Sequence, residues 1–189
     1  MTRPSPPLST RLHSFLLGLH CPQPVPSDPS ALEAITLFPA ARAAFRSILD
    51  ARGSLRGGVL FGRLHHDTLD VHHVAPQGYR WWPELPSPLD LDPRYALGWA
   101  DALVAASGVP LDWVGMWLAY PDSQVGQLGR DTPWLQEARD RGLLHDESVL
   151  LSVGWREGRL EAAGYHLVGS DVELVPVIPR ALRGEDTSP

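Results

Sequence analysis

Eight histidines, one cysteine and a set of tryptophans in loop-like stretches are the residues of this chain whose types could do chemistry. His65, His66, His72 and His73 fall in two adjacent runs, and paired strands could bring two of them to one face. They read either as exposed polar residues or as a metal site. His145, Asp146 and Glu147 form a second, looser cluster without a fixed ligand spacing. Cys21 has His20 beside it in sequence, which is not the geometry of a nucleophile and its base. The sequence contains no Gly-x-Ser-x-Gly elbow, and Gly57, Gly58 and Gly62 lack the spacing and the following Lys of a phosphate loop. Trp81, Trp82 and Trp134 lie in Pro-rich or polar inserts, where an aromatic either packs its own loop or anchors a protein partner.

The elements that must position these groups follow from periodicity and breakers. Leu8, Leu12, Phe15, Leu16 and Leu19 recur at helical spacing ahead of Pro22, Pro24, Pro26 and Pro29, which predicts a short amphipathic helix and an extended linker. That helix either packs on its own domain or binds a partner. Residues 34–37 predict a strand, and Pro39 opens a helix that ends by Gly53. Residues 57–64 and 69–74 predict a hairpin turning at His66, Asp67 and Thr68. Residues 75–93 hold five prolines and predict a long loop. Asp92 before Pro93 predicts a capped helix lined by Tyr95, Leu97, Trp99, Leu103 and Val104. A strand over 111–120, an insert with a helix starting at Pro133, a hairpin over 149–168 and a strand over 172–178 complete the order.

Composition limits what such a domain can do. The 189 residues are 43% hydrophobic, enough for one core, and the domain is expected over 31–179 after an N-terminal segment 1–30 and before a tail 180–189. A formal charge of -6 leaves no basic surface for nucleic acid. No run is long enough for a membrane helix, and the single cysteine fits a reducing cytoplasm. All 16 basic residues are Arg; the absence of Lys and Asn fits a GC-rich genome, and it also removes every side-chain acceptor for ubiquitin-like conjugation.

Gly57, Gly58, Val59, Leu60, Phe61, Gly62 and Arg63, followed by the strand ending Val74, Ala75 and Pro76, resemble the first hairpin of the JAB/MPN (JAMM) domain. The stretch Val114 to Pro121 resembles that family's strand ending in Gly, an aromatic, His, x, His, Pro. In order and spacing the resemblance extends over residues 34 to 178. It implies an α/β (α+β) fold, a mainly antiparallel curved sheet flanked by helices. It further implies a zinc-dependent isopeptidase or peptidase whose metal is held by two His, one Asp and a water, with a Glu as base.

Carried onto this chain, the family's base falls on Leu55, its two His on Leu118 and Tyr120, its Ser on Leu128 and its Asp on Asp131. Only Asp131 keeps the family's residue type. One carboxylate does not hold a catalytic zinc, so no metal or other cofactor is expected, and the pocket is expected to be filled by apolar side chains. Asp131 is then expected to cap the helix near Pro133, to face solvent, or to bond to Tyr120, Arg130 or the helix N-terminus near Thr132 and Trp134. The resulting expectation is an inactive, protein-binding or scaffolding domain in a bacterial ubiquitin-like system. Trp81, Trp82 and Trp134 would be its contact residues, with a ubiquitin-like modifier, a conjugation enzyme, another MPN-type subunit or a second copy as partner. The competing expectation is an isopeptidase with a non-standard metal site built on Asp131 and one or more His.

Overall fold

The computed structural model describes residues 11–18, 32–50, 56–78, 87–107, 111–120, 125–145, 148–168 and 171–180. Alternating apolar residues build most of the eight strands, β1 (Ala34–Leu37), β2 (Arg56–His65), β3 (Thr68–Pro76), β4 (Asp112–Tyr120), β5 (Val149–Arg156), β6 (Arg159–Val168), β7 (Asp171–Val175) and β8 (Val177–Pro179). Among the described residues four helices accompany them, α1 (Arg11–Leu16), α2 (Pro39–Asp50), α3 (Pro93–Ser107) and α4 (Leu128–Asp140). The strands form one sheet in the order β7-β6-β5-β4-β2-β3-β1-β8.

β7 and β8 sit at opposite ends of that order although Pro176 alone separates them in sequence. They are two halves of one stave. The first half pairs with β6 and the second with β1, and the Pro176 carbonyl accepts the Ile35 N–H at 2.8 Å. Proline has no N–H to give, so the change of ladder falls where a donor is missing anyway. The sheet therefore turns round into a nearly closed barrel. This corrects the expected α/β (α+β) arrangement, a mainly antiparallel JAB/MPN-like curved sheet flanked by helices. The protein is mostly β, and the pairings β1–β3, β1–β8 and β4–β5 are parallel. Strand periodicity reports which face a side chain takes and is silent on which strand lies alongside.

Two cores follow from the closure. One draws apolar side chains from every strand together with Ala41, Phe45 and Leu49 of α2, so it fills the inner face. Those three helix residues recur at i, i+4 and i+8, the spacing of a single helix stripe. Phe45 meets the edge of Trp117 with centroids 5.7 Å apart. The other core joins the outward residues of β2–β6, with Ala75 alone from β3, to α1, α3 and α4.

In β4, Trp113 faces outward and Val114 inward, and after Gly115 the residues Met116, Leu118 and Tyr120 face outward. The pairing with β2 slips at this point, Leu60 lying opposite Gly115 and Phe61 opposite Trp113. Gly115 has φ +150°, and a Cβ there would stand 2.0 Å from the Val149 carbonyl oxygen. The bulge thus resets which residues of β4 look out toward α4.

The helices largely keep their expected starts. Asp92 accepts from the Arg94 and Tyr95 N–H groups at 2.9 and 3.3 Å, the cap anticipated before Pro93. Asp92→Ala is expected to lower stability by about 1 kcal/mol, read as a shift of the urea midpoint at unchanged slope. The buried stripe of α3 is Ala96, Ala100 and Leu103, with Trp99 partly buried beside it; of the anticipated lining residues Leu103 and Trp99 pack as expected, whereas Val104 is exposed and two alanines share the contact. α1 packs on its own domain through fully buried Leu12 and through Phe15, 5.2 Å from Trp113, and its Arg11 N–H reaches Asp112 at 3.0 Å. Among the described residues no helix is long and apolar enough to cross a membrane.

Candidate functional site

The positions singled out by sequence meet, in part, on the outer face under α4. Leu118 and Tyr120 are two apart on β4 and both belong to the outer core, as the alternation of a strand requires. α4 begins at Leu128, after Gln127 in extended conformation, and not at Pro133. Asp131 therefore lies in the first turn of the helix and is not its cap. Its own N–H is bonded to the Gln127 carbonyl, and its side chain is turned to the sheet with only 1% of its surface exposed.

A carboxylate so deeply buried needs partners, and it has them. The Tyr165 hydroxyl donates to Asp131 Oδ2 at 2.7 Å, and Arg130 Nε donates to Oδ1 at 3.1 Å. The Arg130 guanidinium carbon stands 3.5 Å from the centre of the Tyr120 ring, a cation–π contact at close range. The carboxylate also sits at the positive end of the α4 dipole. Burial, with Asp131 nearby, pushes the phenols of Tyr120 and Tyr165 well above their ordinary value of 10.0. Both phenols stay protonated, and that of Tyr165 donates to Asp131. The Tyr120 hydroxyl, Arg130 Nη2 and Ser152 Oγ are buried without a hydrogen-bond partner. Ser152 lies opposite Leu118 in the β4–β5 ladder.

This set does not fit a zinc ion. Leu118 offers no lone pair, Tyr120 is a neutral phenol, both oxygens of Asp131 are engaged, and the Arg130 guanidinium brings its own positive charge to the carboxylate. These residues therefore supply no metal-activated water.

The remaining sequence candidates separate. Leu128 is 46% exposed at the start of α4 and does not fill the pocket, a correction to its expected role. Its carbonyl accepts from Thr132 Oγ1 at 2.7 Å. Trp134 is partly buried against the outer core, which leaves less of it for a partner than its position in an insert implied. Leu55, Trp81 and Trp82 lie outside the described residues. His65 and His66 stack on each other at the hairpin turn, whereas His72 stacks on Phe38 with ring centres 3.8 Å apart. Among the described residues no three or more His, Cys, Asp or Glu are grouped to hold a metal.

No family model matches the chain. No curated protein matches it either. Among solved structures, the solution structure of protein DSY2949 from Desulfitobacterium hafniense, a Northeast Structural Genomics Consortium target, is similar at a TM-score of 0.53 and 16% identity. The match covers 78% of this chain and 94% of that one. At that identity the likeness concerns the fold alone.

Sequence reasoning names Arg130 as a partner of Asp131 and misses Tyr165. The signal is there: Tyr165 sits in the largely apolar stretch 162–168, and a buried phenol needs an acceptor for its hydroxyl.

His145, in a cluster without ligand spacing, proves to be a structural anchor. Its backbone N–H donates to Ser148 Oγ at 3.2 Å, and Ser148 Oγ stands 2.6 Å from His145 Nε2. Burial first, then the charges of Arg11 and His166, lower the His145 pKa to about 3, so the ring that shares a hydrogen bond with Ser148 is neutral. A serine hydrogen-bonded to a histidine is the first requirement of a nucleophilic pair. Here Ser148 is buried, and so weak a base would take up its proton poorly. The pair instead ties His145 to Ser148, just ahead of β5.

Its titration has a definite sign. The folded-state pKa lies below the ordinary 6.5, so between those values the unfolded chain binds more protons and stability falls as the pH drops from about 6.5 toward 3. Urea unfolding at steps between pH 7 and 4 is expected to show a shallower loss in His145→Gln than in the parent protein. Equal slopes would refute this account of the ring.

Proposed function

We propose that this domain works by binding a protein partner and not by zinc-assisted hydrolysis. The observation that supports this reading is the closed Arg130–Asp131–Tyr165 cluster, with Tyr120 against it, at the positions where the JAB/MPN resemblance would put a metal. Leu118 is apolar, the Tyr120 phenol stays neutral, and both Asp131 oxygens are already engaged by Tyr165 and Arg130. The reading keeps the motif positions of that resemblance and not its sheet. The partner it implies is a ubiquitin-like modifier, an enzyme of a conjugation pathway, or an MPN-type subunit, met as a scaffold meets its cargo.

The test is elemental analysis of protein purified without a His tag from zinc-supplemented medium. Well under one zinc per chain is expected, with no change in Asp131→Ala. One equivalent of zinc that is lost on that substitution would overturn the reading and restore a metal-dependent hydrolase built on Asp131.

A further inference from the structure

Away from the Asp131 cluster, the outer face of β1, β3 and β8 carries a different set of charges. Leu69 and Val71 of β3 and Ile35 and Leu37 of β1 point into the barrel, so Asp70 and Thr36 between them point out. Register then places Arg63, Asp70, Thr36 and Ile178 in one row across four strands. The outer core under the helices takes Ala75 from β3 and nothing from β1 or β8; here the Arg63 and Arg180 side chains are about half exposed, while Asp70 is buried.

On that face two guanidinium groups converge on one atom. Arg63 Nε is 3.9 Å and Arg180 Nη1 is 3.8 Å from Asp70 Oδ2. Both distances exceed hydrogen-bond length, so each fork is close to the carboxylate without being bonded to it. Arg180 is held in place by its backbone N–H, which donates to the Leu37 carbonyl at 3.0 Å, and by the Phe38 ring 4.4 Å beneath its guanidinium carbon. Phe38 in turn stacks on His72, whose Nε2 is buried without a partner. Burial holds the His72 pKa below its ordinary value against the opposing pull of Asp70, and Arg63, His73 and Arg180 lower it further, so the ring adds no charge. Two arginines against one aspartate leave a local surplus of one positive charge in a chain of formal charge -6.

We propose that the half-exposed Arg63 and Arg180 form a binding site for a phosphate group on this side of the sheet. A guanidinium presents its N–H groups as a planar fork, and two forks arriving from β2 and from the residue after β8 suit a tetrahedral group with several acceptor oxygens better than a planar carboxylate. Asp70 draws the two arginines together and opposes the incoming anion. That opposition gives the site a signature. If Asp70 were only the centre of a structural ion triad, neutralising it would loosen the face and create no affinity. If the arginines are a phosphate clamp, neutralising it strengthens binding.

The experiment is an amide NMR titration of the full chain with inorganic phosphate and, separately, with O-phosphoserine, at ionic strength held constant with chloride. Saturable shifts are expected at residues 36–38, 63, 70–73 and 180. Arg63→Gln and Arg180→Gln are each expected to weaken binding about tenfold or more, the loss of a charge-assisted hydrogen bond, and Asp70→Asn is expected to tighten it several-fold. Tighter binding of phosphoserine than of phosphate assigns the site to a phosphate monoester, and equal binding assigns it to the free ion; either supports the proposal. Shifts that fail to saturate, or that persist unchanged in both arginine variants, would mean an adventitious ion only and overturn it. The arginine variants replace exposed side chains, so they decide the question even if Asp70→Asn does not fold. The outcome is independent of whether Asp131 binds zinc.

Discussion

Asp131→Ala lowers the unfolding free energy by about 3 kcal/mol, within the range of about 3 to 5 kcal/mol for breaking a buried ion pair from one side. The lower end applies because the Arg130 side chain keeps 22% of its surface in solvent and recovers part of its hydration. The substitution removes the acceptor of the Tyr165 hydroxyl and the counter-charge of Arg130 at once, and both donors stay where they are. Asp131→Asn retains an acceptor for Tyr165 and is expected to cost less. Tyr165→Phe removes a hydroxyl and leaves the carboxylate its arginine, so a loss of about 1 to 2 kcal/mol is expected. Urea titrations of the three variants, compared at a common slope, give the ranking Ala, Asn, Phe from worst to mildest or refute the account. A domain indifferent to Asp131→Ala would mean that the carboxylate is not held as described.

Gly115→Ala is expected to cost at least about 3 kcal/mol, since it adds a backbone conformation that L side chains rarely adopt to a steric conflict with main chain. At φ +150° the added Cβ would meet the Val149 carbonyl at 2.0 Å, and that oxygen belongs to the adjoining strand and does not swing aside as a side-chain tip does. Relief would require β4 and β5 to separate or the bulge to migrate. If the bulge migrates, alternation is lost and Leu118 and Tyr120 turn from the outer face to the inner. The measurement is a thermal melt together with the spread of amide signals in an NMR spectrum. Gly98→Ala is the control: Gly98 lies on the exposed side of α3 with nothing within 4 Å of an added Cβ, and the change is expected to stabilise by about 0.5 to 1 kcal/mol. Two glycine-to-alanine changes of opposite sign would separate a glycine required by geometry from one merely tolerated.

What the sequence disclosed and what it withheld divide along a physical line. Local signals were sound: Pro39 opens α2, Asp92 caps α3, and the chain turns at His66 and Asp67 between β2 and β3. Each of these is decided within a few residues. Pro133 misled, because proline favours the first helical position, yet here it lies inside α4, with the helix already begun at Leu128. That displacement moves Asp131 from the expected cap into the buried first turn. Tyr165 lies 34 residues from Asp131, and only the folded sheet brings it there. The parallel pairing of β1 with β3 and β8, and the closure through Pro176, likewise depend on which strands meet, which no pattern of alternation encodes. The glycine pair at Gly57 and Gly58 acquires a physical reason independent of any resemblance. Pro88 lies against the first, while the second lets the Trp117 indole approach and donate to the Ala75 carbonyl at 3.0 Å.

The divided stave has a consequence for how the molecule is made. Residues 171–179 leave the ribosome after every other strand of the sheet, yet they supply the neighbour for both β6 and β1. Until they emerge, a nascent chain carries two unpaired borders, each a template for another chain. Emergence of these residues, more than any early collapse, is then the moment at which the sheet becomes safe from its neighbours.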